Sequence, residues 1–179
     1  MIGHQTQVTV DGEPVLTLAD LWPEGCMAVI VGVNPAPRSV AAGHYYQGTA
    51  GRRAMSRLRA AGMLPPDGGG FADDEAVAAG IGFTDVVKRP TRRASDLTPR
   101  ELADGRARLR ADLEVRRVPL VVCVFKPATE ALLDRAAAPG FQPSDFAGSR
   151  VFRLPGPYAP SAEAQEVMAL LAEYLDGGR

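Results

Sequence analysis

The chain has 179 residues, 46 % of them hydrophobic and 23 % charged, with 20 Lys and Arg against 21 Asp and Glu. That is enough chain for one domain with a sizeable core. A net charge of −1 gives no global sign of a nucleic-acid or membrane partner, and no apolar run reaches the ~18 residues of a membrane span.

The first residues, Met1-Ile-Gly-His-Gln-Thr-Gln7, lack a charged segment followed by an apolar one, so a cytoplasmic protein without a secretory signal is expected. Residues 7–16 alternate around Asp11-Gly12, a hairpin signal. Residues 18–22 read as a short helix stopped by Pro23. Residues 1–24 are expected to be an N-terminal extension packed on a single domain spanning 1–179. Residues 28–33 are all apolar or small and read as a strand buried on both faces of a parallel sheet. Asn34 is the first polar side chain after it, and Pro35 ends the ladder. The segment 34–50 reads as a long loop. A helix from about Gly51 to Gly62 sets Met55, Leu58 and Ala61 on one face and Arg52, Arg53, Arg57 and Arg59 on the other.

Residues 64–70 form a Pro- and Gly-rich break, and a short helix over 73–79 is expected to be capped by Asp73 or Asp74. Residues 81–87 read as a second strand, followed by the basic Lys88-Arg-Pro-Thr-Arg-Arg93. Thr98, Pro99 and Glu101 have the spacing of a capping box that opens a helix to about Val115. Residues 118–125 make a third buried strand, left through Lys126-Pro127, and 128–137 a helix. Residues 149–154 read as a strand near an edge and 155–160 as a rigid loop. Ser161 is expected to cap a last helix with Val167, Leu170, Leu171 and Tyr174 on one face. Strand and helix alternate, which implies a mostly parallel sheet with helices on both faces. Cys26 and Cys123 read as reduced core thiols. With His4 and His44 they show no ligand-like spacing, so no metal site is expected.

In such sheets ligands bind outside the carboxyl ends of the strands. The loops leaving those ends are 34–50, 88–95, 126–127 and 155–160, the first and last expected to face each other across a crevice. Asn34, His44, Tyr45, Tyr46 and Asp85 are the polar candidates near it. Lys88, Arg89, Arg92 and Arg93, with Arg38, Arg52 and Arg53, make a local positive surface. Phosphate contacts need only such a patch; the other reading is a solvated arginine face. Neither a phosphate-binding Gly-rich loop, a dinucleotide fingerprint nor a nucleophile elbow is present.

Gly32-Val-Asn-Pro35, Ser39, Gly43-His-Tyr-Tyr46 and the Arg-rich helix after them resemble the first motif of the mismatch-specific uracil/thymine DNA glycosylases, within the uracil-DNA glycosylase superfamily. Gly82-Phe-Thr-Asp-Val-Val-Lys-Arg-Pro-Thr91 and Ala94-Ser-Asp-Leu-Thr-Pro-Arg-Glu-Leu102 are similar to that family's second segment, and the resemblance runs from about residue 25 to 176. It implies a three-layer α/β/α sandwich around a short, mostly parallel central sheet. It also implies a base flipped out of duplex DNA into a pocket at the strand ends, because the glycosidic bond is out of reach inside the stack. By position, Asn34 matches the residue that positions the hydrolytic water, Val33 lines the pocket and Tyr46 stacks on the base, with Asp85 and His44 beside it. Arg38, Arg52, Lys88, Arg89 and Arg92 are expected to meet the DNA, as are Gly156, Tyr158 and Pro160. The resemblance implies a monomer acting on double-stranded DNA that carries a damaged or mismatched base, as in base-excision repair, with no metal or cofactor.

Three positions depart from the family pattern. Ala36 stands where glycine is usual, Asp85 where lysine or asparagine is, and Gly156-Pro-Tyr-Ala-Pro160 where the family reads Asn-Pro-Ser-Gly-Leu and enters the minor groove. Pro160 can still act as an apolar wedge and Tyr158 as a plug. An ionised carboxylate accepts hydrogen bonds but cannot donate, so an altered base preference is expected at Asp85. Two readings stand beside the glycosylase: a catalytically weak DNA-binding member that has lost the second motif, and a hydrolase of free nucleosides or nucleotides. The basic loop 88–93 speaks against the last, since a free nucleoside needs no phosphate track.

Overall fold

The computed structural model describes residues 1–178. β1 (Gln5–Val10) and β2 (Glu13–Leu18) pair as an antiparallel hairpin. Asp11 and Gly12 at its tip both have positive φ, 50° and 84°, which suits the strand twist. The expected helix at 18–22 is absent. Leu18 belongs to β2, and Leu21 bridges Phe83 through backbone bonds of 2.8 and 2.9 Å. So short a segment cannot offset the cost of helix nucleation, whereas the sheet edge offers its backbone ready partners.

The main sheet holds β3 (Ala28–Gly32), β4 (Ile81–Asp85), β5 (Leu120–Cys123), β6 (Gly140–Phe141) and β7 (Arg150–Arg153). Their order is β4-β3-β5-β7-β6, and only the β6–β7 pair is antiparallel. β7 lies one strand in from the edge, covered by the two-residue β6.

The helices are α1 (Pro37–Ala42), α2 (Thr49–Ala60), α3 (Ala72–Ala78), α4 (Pro99–Arg116), α5 (Lys126–Leu133) and α6 (Ser161–Gly177). Successive strand residues point to opposite faces, and the core divides accordingly. Ile30, Phe83, Val122 and Phe152 pack with Leu58 of α2, Ala76 of α3 and Leu171 of α6. Val29, Val31, Val121 and Val151 pack with Leu109 and Leu113 of α4 and Leu132 of α5. The result is the expected three-layer α/β/α sandwich around a mostly parallel sheet. Each large apolar side chain buried there contributes about 1.5–3 kcal/mol of transfer free energy.

Several boundaries differ from expectation for local reasons. The segment 34–50 is not all loop: α1 forms inside it, opened by Pro37, whose φ is already helical. The first residue outside α3 is Phe71, and Asp73 is no cap but a fully buried residue of the first turn, turned toward His44 and Tyr45. α5 begins at Lys126-Pro127, since proline is tolerated in a first turn, and ends at Leu133. α6 is preceded by Pro160 with no side-chain cap, so Ser161 does not cap it. Its buried face is Ala164, Met168 and Leu171, while Leu170 is 47 % exposed. The box before α4 forms as expected: Thr98 N–H donates to Glu101 Oε2 at 2.8 Å, and Glu101 N–H to Thr98 Oγ1 at 3.2 Å. Among the described residues, no helix is long and apolar enough to cross a membrane.

Candidate active site

β3 and β4 end together, with Gly32 in register with Asp85. The ladder continues one step further, Val86 N–H donating to Gly32 O at 2.9 Å and Val87 N–H to Val33 O at 2.8 Å. Asn34 therefore leaves a backbone that is held in place. Its Nδ2 donates to Arg89 O at 2.9 Å and to Thr91 Oγ1 at 2.8 Å. The Thr91 hydroxyl itself donates to Arg93 O at 2.7 Å, so its oxygen turns lone pairs toward Asn34. Two acceptors facing the amide nitrogen fix the sense of the carboxamide. Its Oδ1 is left as an acceptor, with no donor to it among the described residues.

Gly32 has a steric reason. A Cβ there would run into Asp85 Oδ1 and lie 3.1 Å from Tyr46 Oη, so only glycine lets both side chains reach the strand end. Asp85 is 2 % exposed. Burial pushes its carboxyl up to about 7, against the pull of Lys88 and Arg108 and with a push from Asp20. Tyr46 takes a left-handed backbone, φ 58°, that turns its ring inward. Burial and then Asp85 push its phenol well above the ordinary range. Phe83 and Phe125 flank the ring at 6.1 and 6.5 Å between centroids. Tyr46 Oη and Asp85 Oδ2 are both buried without a hydrogen-bond partner among the described residues. Buried polar atoms left this way are uncommon, and here they sit together where β3 and β4 end, beside Asn34's strand.

An ion cluster that sequence reasoning missed braces this end of β4. Lys88 Nζ donates to Asp20 Oδ1 at 2.8 Å and Arg108 Nη1 to Asp20 Oδ2 at 2.7 Å. Thr84 Oγ1 donates to Asp20 Oδ1 at 2.7 Å, and Arg108 Nη2 to Asp85 O at 2.6 Å. Burial would raise the Asp20 carboxyl, but the two cations outweigh it and hold it below the usual range. Asp20 and Arg108 come from segments that no spacing rule joins.

The other expected residues are placed as follows. Lys88 and Arg89 were expected to meet DNA, yet both are engaged internally. Lys88 is held by Asp20, and its Nζ also lies 3.3 Å from Tyr45 Oη. Arg89 makes a two-pronged pair with Glu101 at 2.6 and 3.0 Å and donates to Asp96 O at 2.8 Å. That pairing pulls Glu101 down to about 2. Tertiary packing supplied carboxylates that neighbours in sequence did not. Arg38, Arg52, Arg92 and Arg93 remain exposed. Val33 is buried at the strand end. His44 is turned away from Asn34: its Nδ1 lies 3.0 Å from Asp73 Oδ1, and its ring stacks on Phe71 at 3.5 Å. In the last loop Arg57 donates to Pro155 O at 3.1 Å and Gly156 O at 2.8 Å, and Arg53 to Pro157 O at 2.8 Å. Arg53 also covers the ring of Tyr158, which is 79 % exposed. Pro160 is exposed at the entry to α6.

The family model for the uracil DNA glycosylase superfamily matches residues 21–170. The chain belongs to the uracil DNA glycosylase superfamily. Comparison with curated proteins finds no match. The superfamily match takes in Asn34, Tyr46, Asp85 and the 155–160 loop, and leaves the β1–β2 hairpin outside it. Gly32, Asn34 and Asp85 stand at the carboxyl ends of β3 and β4, the side on which open parallel sheets generally bind ligands.

Proposed function

We propose that this superfamily member is a monofunctional DNA glycosylase that hydrolyses the N-glycosidic bond of uracil, or a related damaged or mismatched base, flipped from duplex DNA. The observation that carries the reading is the anchored carboxamide of Asn34, whose Oδ1 is free to accept from a water at the strand end. In this reading the flipped base is received at the strand end beside Gly32, Tyr46 and Asp85. Asn34 orients the water toward C1′. The water oxygen bonds to C1′ as the C1′–N bond breaks, the electron pair leaves with the base, and the water's proton passes to the base or to solvent. Exposed Arg38, Arg52, Arg92 and Arg93 offer the phosphate contacts.

Asp85 sets the base preference. With its carboxyl at about 7, the neutral and ionised forms coexist near neutral pH. The neutral form donates to a base carbonyl and tolerates negative charge developing on the leaving base. The ionised form accepts from a ring N–H or an exocyclic amine and repels that charge.

The test incubates a uracil-containing duplex with wild type and Asn34→Ala and scores abasic sites by alkaline cleavage. Wild type is expected to produce them and Asn34→Ala to lose at least about 100-fold in rate, as when a preorganised polar group is removed. Equal cleavage by both would overturn the assignment. A second reading rests on the rewritten Gly156-Pro-Tyr-Ala-Pro160 loop: a binding module that keeps the surface and has lost the chemistry. Tight, salt-sensitive binding with no abasic sites across uracil, thymine, hypoxanthine and modified cytosines opposite guanine favours it.

A further inference from the structure

His4 and His44 are the only histidines and lie far apart in the sequence. The fold sets their rings edge to face, with centroids 5.2 Å apart. Two carboxylates from the first turn of α3 meet them. His4 Nε2 lies 2.7 Å from Asp74 Oδ1 and His44 Nδ1 lies 3.0 Å from Asp73 Oδ1. The crossed pairs, His4 Nε2 to Asp73 Oδ2 and His44 Nδ1 to Asp74 Oδ2, are both 3.9 Å. One ligand atom from each of the four residues lies within 4.8 Å of all the others. A tetrahedral zinc ion bonds imidazole nitrogen and carboxylate oxygen at about 2.0–2.2 Å, which sets its ligand atoms about 3.3–3.5 Å apart. The His–Asp separations, 2.7 to 3.9 Å, bracket that edge length.

The cluster is braced from outside. Asp73 is fully buried, and its Oδ2 accepts from Tyr45 N–H at 2.7 Å. Phe71 stacks on the His44 ring and sets its plane. The backbone of His4 is held at both ends: its N–H donates to Gly43 O at 2.7 Å, and its carbonyl accepts from Ala19 N–H at 2.8 Å. Such outer contacts orient metal ligands. The side chains of His4 and Asp74 are 24 % and 52 % exposed, which gives an ion a way in. Two carboxylates also balance the two charges of a divalent cation, so the filled site is neutral.

We propose that His4, His44, Asp73 and Asp74 bind one divalent cation of the zinc class. The ion takes the place of the hydrogen in each His–Asp contact, that hydrogen passes to the other nitrogen of the same ring, and the ion is held by two neutral imidazoles and two carboxylates. It ties the N-terminal ribbon to the loop that carries Tyr46, two residues after His44. His4 lies outside the superfamily match, so this clamp belongs to the chain's own hairpin. It reverses the expectation drawn from spacing, because the ligands converge only in three dimensions.

The test uses the untagged full chain, stripped with a chelator and then titrated with Zn²⁺ in competition with a chromophoric chelator, alongside thermal unfolding. One Zn²⁺ per chain and a rise in Tm are expected, with no comparable rise from Mg²⁺. His4→Ala and Asp74→Asn alter partly exposed side chains and leave the core intact. Loss of an outer-shell partner already costs about 10–100-fold in metal affinity, so each variant is expected to weaken Zn²⁺ by about 100-fold or more and to lose the Tm rise. X-ray absorption should show nitrogen and oxygen neighbours with imidazole scattering. No saturable binding, or unchanged affinity and stoichiometry in both variants (an adventitious ion only), overturns the proposal. None of these readouts depends on glycosylase activity.

Discussion

Asn34 donates both amide hydrogens into the loop 88–93, so its orientation depends on Thr91 as well as on Arg89's carbonyl. Thr91→Val keeps the shape and removes the acceptor. It is expected to lower kcat about tenfold with KM little changed, since one neutral hydrogen bond contributes about 0.5–1.5 kcal/mol, and Thr91→Ser is expected to restore it. A fall in Tm without a fall in kcat would assign Thr91 a structural role only. Asp85 predicts two pH effects. Its folded carboxyl is raised, so the stability it contributes is full below the unfolded value of 3.8 and is lost as pH rises through about 7. Wild type should therefore lose stability relative to Asp85→Asn by at most about 1.4 kcal/mol per pH unit across that window, read by denaturant titration. Uracil excision should fall above about pH 7 as Asp85 ionises, and Asp85→Asn should flatten that profile and change the preferred base. A pH profile and base preference identical to wild type would remove Asp85 from the chemistry of base release.

The loop after β7 depends on α2 at the level of elements. Arg57 and Arg53 bind the carbonyls of Pro155, Gly156 and Pro157, so three carbonyls of the loop are held by one helix, Gly156 O taking Ala159 N–H at 3.0 Å as well. Arg57→Ala is expected to speed amide exchange across 155–159 and weaken binding to a base-containing duplex, while leaving overall stability within about 1.5 kcal/mol. Unchanged exchange in that loop would show that it is held by its prolines alone. The same logic runs through the basic loop, where Arg89 is docked onto the Glu101 that also closes the α4 capping box. One carboxylate thus joins the start of α4 to the residue whose carbonyl receives Asn34.

For the whole molecule, the net charge of −1 hides an uneven distribution. Lys88 and Arg89 are spent on internal pairs, and of the five cations proposed to meet DNA Arg38, Arg52 and Arg92 are exposed. Each phosphate contact adds about −0.9 to the slope of log K against log salt. Arg92→Ala should therefore reduce that slope by about 1 with stability unchanged. Lys88→Ala should leave the slope alone and destabilise the fold, because Asp20 loses a partner in a partly buried cluster. The opposite pattern would return Lys88 to the DNA surface.

Sequence alone determined the sandwich, because apolar strands buried on both faces and alternating with helices admit few other arrangements. It also determined the place of Asn34 at a strand end, since the change from apolar run to Asn-Pro is local, and the capping box of α4, whose partners are three residues apart. The rest depended on contacts between distant segments. Residues 18–22 took a sheet edge that lies beside them only after folding. Lys88 and Arg89 found Asp20 and Glu101, which turned a charge run into a scaffold. Asp85 acquired its raised carboxyl from burial against Gly32 and Tyr46, a property of packing that no residue type carries by itself. The two histidines, apart in sequence, met two aspartates because the hairpin folds back onto the loop after α1. Chain order encodes what neighbours do to one another; which charge is buried, paired or left with a free acceptor is decided by the surface each element meets in the folded molecule.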